Sequence, residues 1–207
     1  MKKLAAFICE TRPSPLLIPT INNALNNLPK DTDLFIIHGR EHRFLKILFP
    51  SAKLTEWGAP MSESSYNDLL TTPKFWEMFL EYDRVLIFQT DGVILRPGVE
   101  EFYEYDYVGS PWKFQEFGGN GGMSLRNPKI MHEICSETKW DITMGNEDIL
   151  FSNRLYALND NKLAPRDVCM KWGVETIFTL GTFCCHAIEK HLTLEQCNQI
   201  KTQYYEK

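Results

Sequence analysis

A short apolar run that stops at a carboxylate is the feature that most constrains the fold of this chain. Residues 85–88 read Val-Leu-Ile-Phe, the pattern of a strand that helices cover on both faces. The run ends in Gln89-Thr90-Asp91-Gly92, and a second apolar run follows at residues 93–95. In an open α/β sheet, ligands bind just outside the carboxyl ends of the strands. Asp91 is therefore either the cap of a turn or a ligand for a cation or a polar group.

Apolar runs alternate with helical patterns along the rest of the chain. Further strands are predicted at residues 4–9, 34–37, 53–57, 107–109, 122–125 and 175–180. Helices are predicted at residues 14–28, 44–48, 64–70, 74–82, 128–136 and 147–158, with a last helix beginning at Thr193. This order predicts an α/β fold with a mostly parallel central sheet flanked by helices. Because no repeat or linker divides the sequence, we expect residues 1–207 to form a single domain.

Charge and hydropathy narrow the range of partners. The formal net charge is −5 and the chain has no basic run, which argues against nucleic acid or an anionic membrane as the main partner. The apolar stretch at residues 4–9 is too short for a signal peptide, and no later stretch approaches the length of a transmembrane helix. We expect a cytoplasmic protein, with peripheral attachment to a membrane left open. The sequence gives no indication of oligomeric state.

The six cysteines do not form a metal or disulfide pattern. No CxxC pair is present, and Cys184 and Cys185 are adjacent, which is unfavourable for a disulfide framework. A zinc site made by these two cysteines and His186 lacks the usual ligand spacing. Reduced thiols in a cytosolic protein are the expected state.

A cluster of glycines at residues 118–122 reads Gly-Gly-Asn-Gly-Gly. It does not match the Rossmann fingerprint, and it lacks the Lys-Ser/Thr of a P-loop. The cluster indicates either a flexible turn or a backbone that comes very close to a ligand.

Two further groups of polar residues are candidates for chemistry. Glu147 and Asp148 stand where a helix is predicted to begin, either as ordinary first-turn acids or as a general base beside a pocket. His186 is either a hydrogen-bonded structural residue or, with Asp91 nearby, part of a site for a divalent ion. An aspartyl-phosphate mechanism has no nucleophile at the expected place, because Gln89 stands where such enzymes carry an aspartate. The sequence also contains neither a G-x-S-x-G elbow nor an HExxH helix.

Five segments, taken in order, resemble the GT-A-fold glycosyltransferases. The resemblance is closest to a glycosyltransferase-like family, catalogued as a domain of unknown function, that carries Gln-Thr-Asp at a strand end. The matching segments are YNDLLTTPKFWEMF (66–79), VLIFQTDGVI (85–94), YDYVGSPW (105–112), GGNGGMSLRN (118–127) and NEDILFS (146–152). The fold implied for residues 1–207 is GT-A-like, which is a Rossmann-like arrangement.

The resemblance also implies an activity and a set of site residues. The implied donor is a nucleotide sugar, a UDP-sugar in the first place, and the acceptor is a hydroxyl on a glycan, a lipid-linked molecule or a protein. Asp91 and His186 would hold a divalent cation, Mn²⁺ or Mg²⁺, against the donor diphosphate, although Gln89 replaces the acidic first residue of the DxD motif. Asp148 resembles the base of inverting members, and Glu147 its acidic neighbour. The residues expected to contact the donor are Glu10, Thr11, Arg12, His38, Asn67, Gln89, Thr90, Asp91, Asn120, Gly121 and Gly122.

Two other functions stay open at this point. One is a catalytically silent module of the same fold that binds a nucleotide or a sugar. The other is a metal-dependent phosphohydrolase or nucleotidyltransferase that works through Asp91, Glu147 and Asp148.

Overall fold

A six-stranded central sheet organises the computed structural model, which describes residues 3–158 and 162–205. Its strands are β1 (Leu4–Glu10), β2 (Asp33–His38), β3 (Lys53–Glu56), β4 (Arg84–Phe88), β6 (Tyr107–Ser110) and β7 (Asn120–Arg126). They lie in the order β3-β2-β1-β4-β7-β6. The first four strands in this order run parallel to one another, and β7 pairs antiparallel with both β4 and β6. The predicted mostly parallel sheet is confirmed.

Helices cover both faces of this sheet. They are α1 (Leu17–Asn27), α2 (Leu45–Leu48), α3 (Glu63–Leu70), α4 (Pro73–Glu77), α5 (Pro128–Glu137), α6 (Glu147–Leu158) and α7 (Arg166–Trp172). Two further helices, α8 (Ile188–His191) and α9 (Leu194–Tyr205), pack instead against a second, smaller sheet. The apolar residues of α1, α2 and α7 join the core on one face, and those of α3 to α6 join the core on the other.

The continuous apolar runs of the central strands follow from this two-sided burial. In β1, Ala6 and Ile8 face one core while Ala5 and Phe7 face the other. Because successive side chains of a strand point to opposite faces, a strand between two helical layers is apolar at every position.

A second, three-stranded sheet lies next to the first. It has the order β5-β9-β8, with β5 at Gly92–Ile94, β8 at Gly173–Val174 and β9 at Cys184–His186. Only the segment 89–91 separates β5 from β4, so the chain passes from one sheet to the other at Asp91. The small sheet has an apolar cluster of its own, which includes Ile188 on α8 and Ile200 on α9.

Three predicted elements differ from the structure by more than two residues. The strand predicted at 175–180 is wrong, because pairing with β9 ends at Val174 and the buried Glu175 turns toward His186. The helix predicted at 74–82 is Pro73–Glu77 and ends in turns, and the first helix begins at Leu17 rather than Ser14. Within the described residues, no helix is both long enough and apolar enough to cross a membrane.

Candidate functional site

A cleft of about 410 Å³ opens at the carboxyl ends of β1 and β4. These parallel strands end at the same edge of the sheet, and β7 begins there because it runs antiparallel to β4. The start of α6 and the end of β9 complete the walls. The residues that line the cleft are Cys9, Glu10, Thr11, Arg12, Met61, Ser62, Glu63, Tyr66, Asn67, Gln89, Thr90, Asp91, Asn120, Gly122, Asn146, Glu147, Asp148, His186 and Lys190.

Most of the residues that the sequence singles out lie in this cleft. Asp91, Asp148 and His186, which are far apart in the chain, all line it. His38 and Gly121 are the two predicted site residues that are not among the lining residues. The buried ring of His38 places Nδ1 2.9 Å from the carbonyl oxygen of Gly39. Gly121 lies next to the lining residues, and its backbone N–H donates to the carboxylate of Asp148.

Asp91 lies at the centre of a group of charged side chains. Its Oδ1 lies 3.1 Å from Nε2 of His186, and its Oδ2 accepts a hydrogen bond from Nζ of Lys190 at 2.7 Å. Nδ1 of His186 in turn lies 3.2 Å from Oε1 of Glu175, so the imidazole is held between two carboxylates. The hydrogen bond with His186, reinforced by Lys190, holds the pKa of Asp91 well below its usual range. Burial alone would lower the pKa of His186, but the two carboxylates outweigh it and raise that pKa to about 9.

The side chains around Asp91 do not fit the divalent cation expected from the sequence. A carboxylate oxygen and an imidazole nitrogen are suitable ligands. However, Lys190 and His186 each take one oxygen of Asp91, and both ring nitrogens of His186 face carboxylates. In the described part of the chain, no group of three or more His, Cys, Asp or Glu is arranged to hold a metal ion. The paired side chains of Asp91 and His186 therefore do not fit the expected Mn²⁺ or Mg²⁺.

Asp148 forms part of another wall of the cleft. Its side chain is almost fully buried, and its carboxylate accepts hydrogen bonds from the backbone N–H groups of Gly121 at 2.9 Å and Ile149 at 2.8 Å. Burial, with a contribution from the charge of Glu147, raises the pKa of Asp148 to about 7 despite those two hydrogen bonds. A carboxylate with this pKa can take up and release a proton near neutral pH.

Glu147 has a different environment, although it is the next residue. Nη1 and Nη2 of Arg126 donate to its two oxygens at 2.9 and 3.0 Å, and the side chain of Arg126 is fully buried. The N–H of Glu147 donates to Oδ1 of Asn67 at 3.1 Å. The guanidinium therefore binds Glu147 in the bidentate geometry typical of an arginine–carboxylate pair. The pair ties the start of α6 to β7, and Nη2 of Arg126 also donates to the carbonyl of Gly121 on the same strand.

The end of β1 carries a second ion pair within the cleft. Glu10 is buried, and Arg12 donates to its Oε1 from Nε at 3.1 Å and from the backbone N–H at 2.9 Å. The Oε2 atom of Glu10 accepts a hydrogen bond from Nη2 of Arg12 at 3.2 Å, and the hydroxyl of Thr90 approaches the same oxygen at 3.4 Å. The guanidinium of Arg12 is largely exposed, so its remaining donors are available to a ligand.

The glycine cluster has a packing role in the structure. A Cβ atom on Gly122 would lie 2.4 Å from Nε2 of His186, so only glycine lets β7 pass this close to the imidazole. The neighbouring Asn120 accepts the N–H of Gly122 on its side-chain oxygen at 2.7 Å. The cluster therefore shapes the wall that carries Asn120 and Gly122.

Three charged residues of the site were not predicted from the sequence. Lys190 belongs to no recognisable motif, and a lysine is usually a solvated surface residue. Glu175 was placed in a predicted strand, and Arg126 only closes an apolar run. A weak signal existed for Arg126, because an arginine directly after a buried strand needs an acidic partner.

One solved structure shows that the chain shares its fold with a glycosyltransferase. The apo-form glycosyltransferase GlyE of Streptococcus pneumoniae TIGR4 is similar over 98% of this chain and 60% of its own, with a TM-score of 0.57 and 12% identity. The chain therefore spans less than two thirds of that enzyme. The mannosyltransferase PcManGT of Pyrobaculum calidifontis, solved with GDP-Man and Mn²⁺, reaches a TM-score of only 0.46 at 9% identity over 72% of this chain and 50% of its own. That likeness is too distant to support an inference.

Comparison of the sequence with curated proteins and with family models gives a second, separate result. No curated protein matches the sequence. One family model, described as Protein of unknown function (DUF5672), matches residues 53–186, which is well over half of the chain. The matched region extends from β3 to His186 and so includes Asp91 and Asp148. The chain therefore belongs to the DUF5672 family.

Proposed function

We propose that the protein is a glycosyltransferase that moves a sugar from a nucleotide-sugar donor to a hydroxyl acceptor. A UDP-sugar is the first donor to test, and we assign the activity to residues 1–207 as one domain. The glycosyltransferase fold supports this proposal, as does a polar cleft at the strand ends where α/β proteins bind ligands.

The observation that carries the proposal is the environment of Asp148. This carboxylate lines the cleft in a buried position that brings its pKa to about 7. In the proposed reaction, Asp148 accepts the proton of the acceptor hydroxyl as that oxygen forms a bond to the anomeric carbon. The bond from that carbon to the diphosphate oxygen breaks at the same time, and the nucleoside diphosphate leaves with the electron pair. Positive side chains in the cleft stabilise the charge that develops on it.

The other residues of the cleft have supporting roles in this scheme. Glu147 positions Asp148 and Gly121 through its ion pair with Arg126, rather than serving as a second base. Asn67, Asn120 and the strand end at Gln89 present polar atoms to the donor. We infer that Asp91 acts as the anchor of the cationic groups next to it.

A silent binding module is the second candidate, and one observation favours it. Gln89 stands where an acidic residue is expected, and Asp91 is already paired with Lys190. A silent module binds the nucleotide sugar but neither transfers the sugar nor hydrolyses the donor. The phosphohydrolase hypothesis lacks comparable support, because Arg126 occupies both oxygens of Glu147.

A pair of variants tests the proposal. Nucleoside diphosphates (UDP, GDP, CDP and dTDP) are first screened by thermal shift, where a ligand at about 100 times its Kd adds roughly 2.7 kcal/mol of stability. Release of the diphosphate from the matching sugar nucleotide is then measured for wild type and Asp148→Asn. We expect Asp148→Asn to lower release about 10² to 10⁴-fold, with the affinity for the diphosphate unchanged.

The exposed Asp68 on α3, which does not line the cleft, provides the matched control. Asp68→Asn should release diphosphate at the wild-type rate. Equal rates for wild type and Asp148→Asn would contradict the role of Asp148. Binding with no release by wild type would favour the silent module instead.

A further inference from the structure

The carboxylate of Asp91 is already neutralised by a lysine that reaches it from the solvent side. Nζ of Lys190 lies 2.7 Å from Oδ2 of Asp91, and the side chain of Lys190 is 67% exposed. The side chain of Asp91 is 35% exposed. A positive charge therefore occupies the cleft at the strand end, close to where the expected divalent ion would be.

The backbone conformation of Ala187 places Lys190 next to Asp91. Ala187 has a φ of 49°, and no other described residue apart from glycine has a positive φ. Its N–H donates to the backbone carbonyl of Asp91 at 3.0 Å, and the N–H of Lys190 donates to the carbonyl of Ala187 at 3.0 Å. L-residues rarely adopt this left-handed conformation. Here it turns the chain from β9 directly into α8, so that Lys190 lies over Asp91.

Arg12 gives the cleft a second positive charge of the same kind. Its guanidinium rests on the buried Glu10 and is 68% exposed, much as Lys190 rests on Asp91. Among the described lining residues, Arg12 and Lys190 are those that carry a permanent positive charge. Arg12 is paired with Glu10 at the end of β1, and Lys190 is paired with Asp91 just after the neighbouring strand β4. Both side chains have exposed N–H donors.

We propose that Lys190, assisted by Arg12, binds the diphosphate of the donor, and that this binding does not require a divalent cation. The inference rests on the proposed function and specifies which groups recognise the donor. Lysine binds phosphate as a point charge, and arginine adds paired N–H donors. Rotation of the lysine stem transfers Nζ from Asp91 to a phosphate oxygen, while Nε2 of His186 stays next to Oδ1 of Asp91. The same ammonium then stabilises the negative charge that develops on the departing diphosphate.

Calorimetric titration with UDP tests the inference in two buffers, one with excess EDTA and one with MnCl₂. For wild type we expect Kd values that agree within about twofold between the buffers. Lys190→Gln should weaken UDP binding about 10- to 100-fold, the loss typical of a hydrogen bond to a charged group. Electron paramagnetic resonance of the free ion should show that wild type without nucleotide does not bind Mn²⁺.

Lys201→Gln is the matched control. Lys201 forms an ion pair of the same length, 2.7 Å, with Glu189, and neither residue lines the cleft. This variant should bind UDP like wild type, and unfolding of each variant without nucleotide establishes that it is folded.

Two results overturn the inference and leave the proposed function intact: UDP binding that occurs only with MnCl₂, or wild-type affinity in Lys190→Gln. If UDP, GDP, CDP and dTDP all fail to bind in both buffers, the inference and the proposed function are overturned together.

Discussion

Adjacent carboxylates at the start of α6 have opposite electrostatic environments. Glu147 is paired with the buried guanidinium of Arg126, whereas Asp148 is buried beside the cleft with only backbone N–H donors. Burial of a carboxyl without a bound cation disfavours its ionised form, which is the situation of Asp148. The difference supports assigning the base to Asp148 and a positioning role to Glu147.

The raised pKa of Asp148 predicts a particular pH dependence of stability. The pKa is about 7 in the folded protein against 3.8 for an unperturbed aspartate, so between these values the folded state holds a proton that the unfolded chain has released. This contribution to stability is complete below about pH 4 and is lost as the pH rises through about 7, at up to about 1.4 kcal/mol per pH unit.

Asp148→Asn removes that dependence. When the pH is raised from about 5 to about 8, we expect wild type to lose about 2–3 kcal/mol of unfolding free energy that Asp148→Asn does not lose. Urea unfolding of both proteins at the two pH values measures the difference. Parallel stability curves for the two proteins would show that Asp148 is not protonated in the folded state near neutral pH.

At the scale of elements, the approach of β7 to β9 sets the shape of the cleft. Gly122 lies directly against the imidazole of His186, and a Cβ there would also lie 3.0 Å from Oε1 of Gln89. His186 is held between Asp91 and Glu175, and Oε1 of Gln89 lies 3.2 Å from Nε2 of His186, so both neighbours are held in place by hydrogen bonds. A single methyl group on β7 would therefore disturb the cationic side of the site.

Gly122→Ala tests this contact. We expect a loss of about 1–3 kcal/mol of unfolding free energy, the usual effect of overpacking, together with weaker UDP binding because His186 is displaced from Asp91. Gly58→Ala is the control, because nothing lies within 4 Å of its added Cβ and the change in the unfolded chain is similar. Gly58→Ala should leave stability unchanged or raise it by less than about 1 kcal/mol. Equal stabilities for the two variants, measured by urea unfolding, would contradict the close packing of β7 against His186.

At the scale of the whole molecule, the site lies at the junction of the two sheets. Asp91 follows β4 of the central sheet, whereas His186 ends β9 of the small sheet. The small sheet is held by an apolar cluster that includes Ile188 and, from α9, Cys197 and Ile200. The geometry between Asp91 and His186 therefore depends on the packing of α9, which does not itself line the cleft.

Two variants on α9 test this dependence. Ile200 is 1% exposed, and Ile200→Ala should cost about 2–5 kcal/mol because it leaves a cavity under the small sheet. Leu194 on the same helix is 76% exposed, and Leu194→Ala should change stability by less than about 0.5 kcal/mol. Urea unfolding measures both changes. Equal effects would show that α9 does not stabilise the small sheet through this cluster.

The sequence by itself determined the α/β class, the buried strands and the strand ends where polar residues collect. These features are local, because a strand buried on both faces is apolar at each position and the residues after it fall at the edge of the sheet. Asp91 and Asp148 were singled out from such local patterns, one just after a buried strand and the other where a helix begins, and both line the cleft. The strand predicted at 175–180 was wrong, because the partner available to a strand is not a local property.

Only the tertiary structure decided which charges meet. Lys190 reaches Asp91 across 99 residues of chain, and Arg126 selects Glu147 rather than Asp148. A pattern of residue types describes the environment that each segment prefers but contains no distances between segments. The pairing that distinguishes a lysine-neutralised cleft from a metal site arises only when β4, β9 and α8 are packed together, since electrostatic interactions depend on separation and burial in the folded chain.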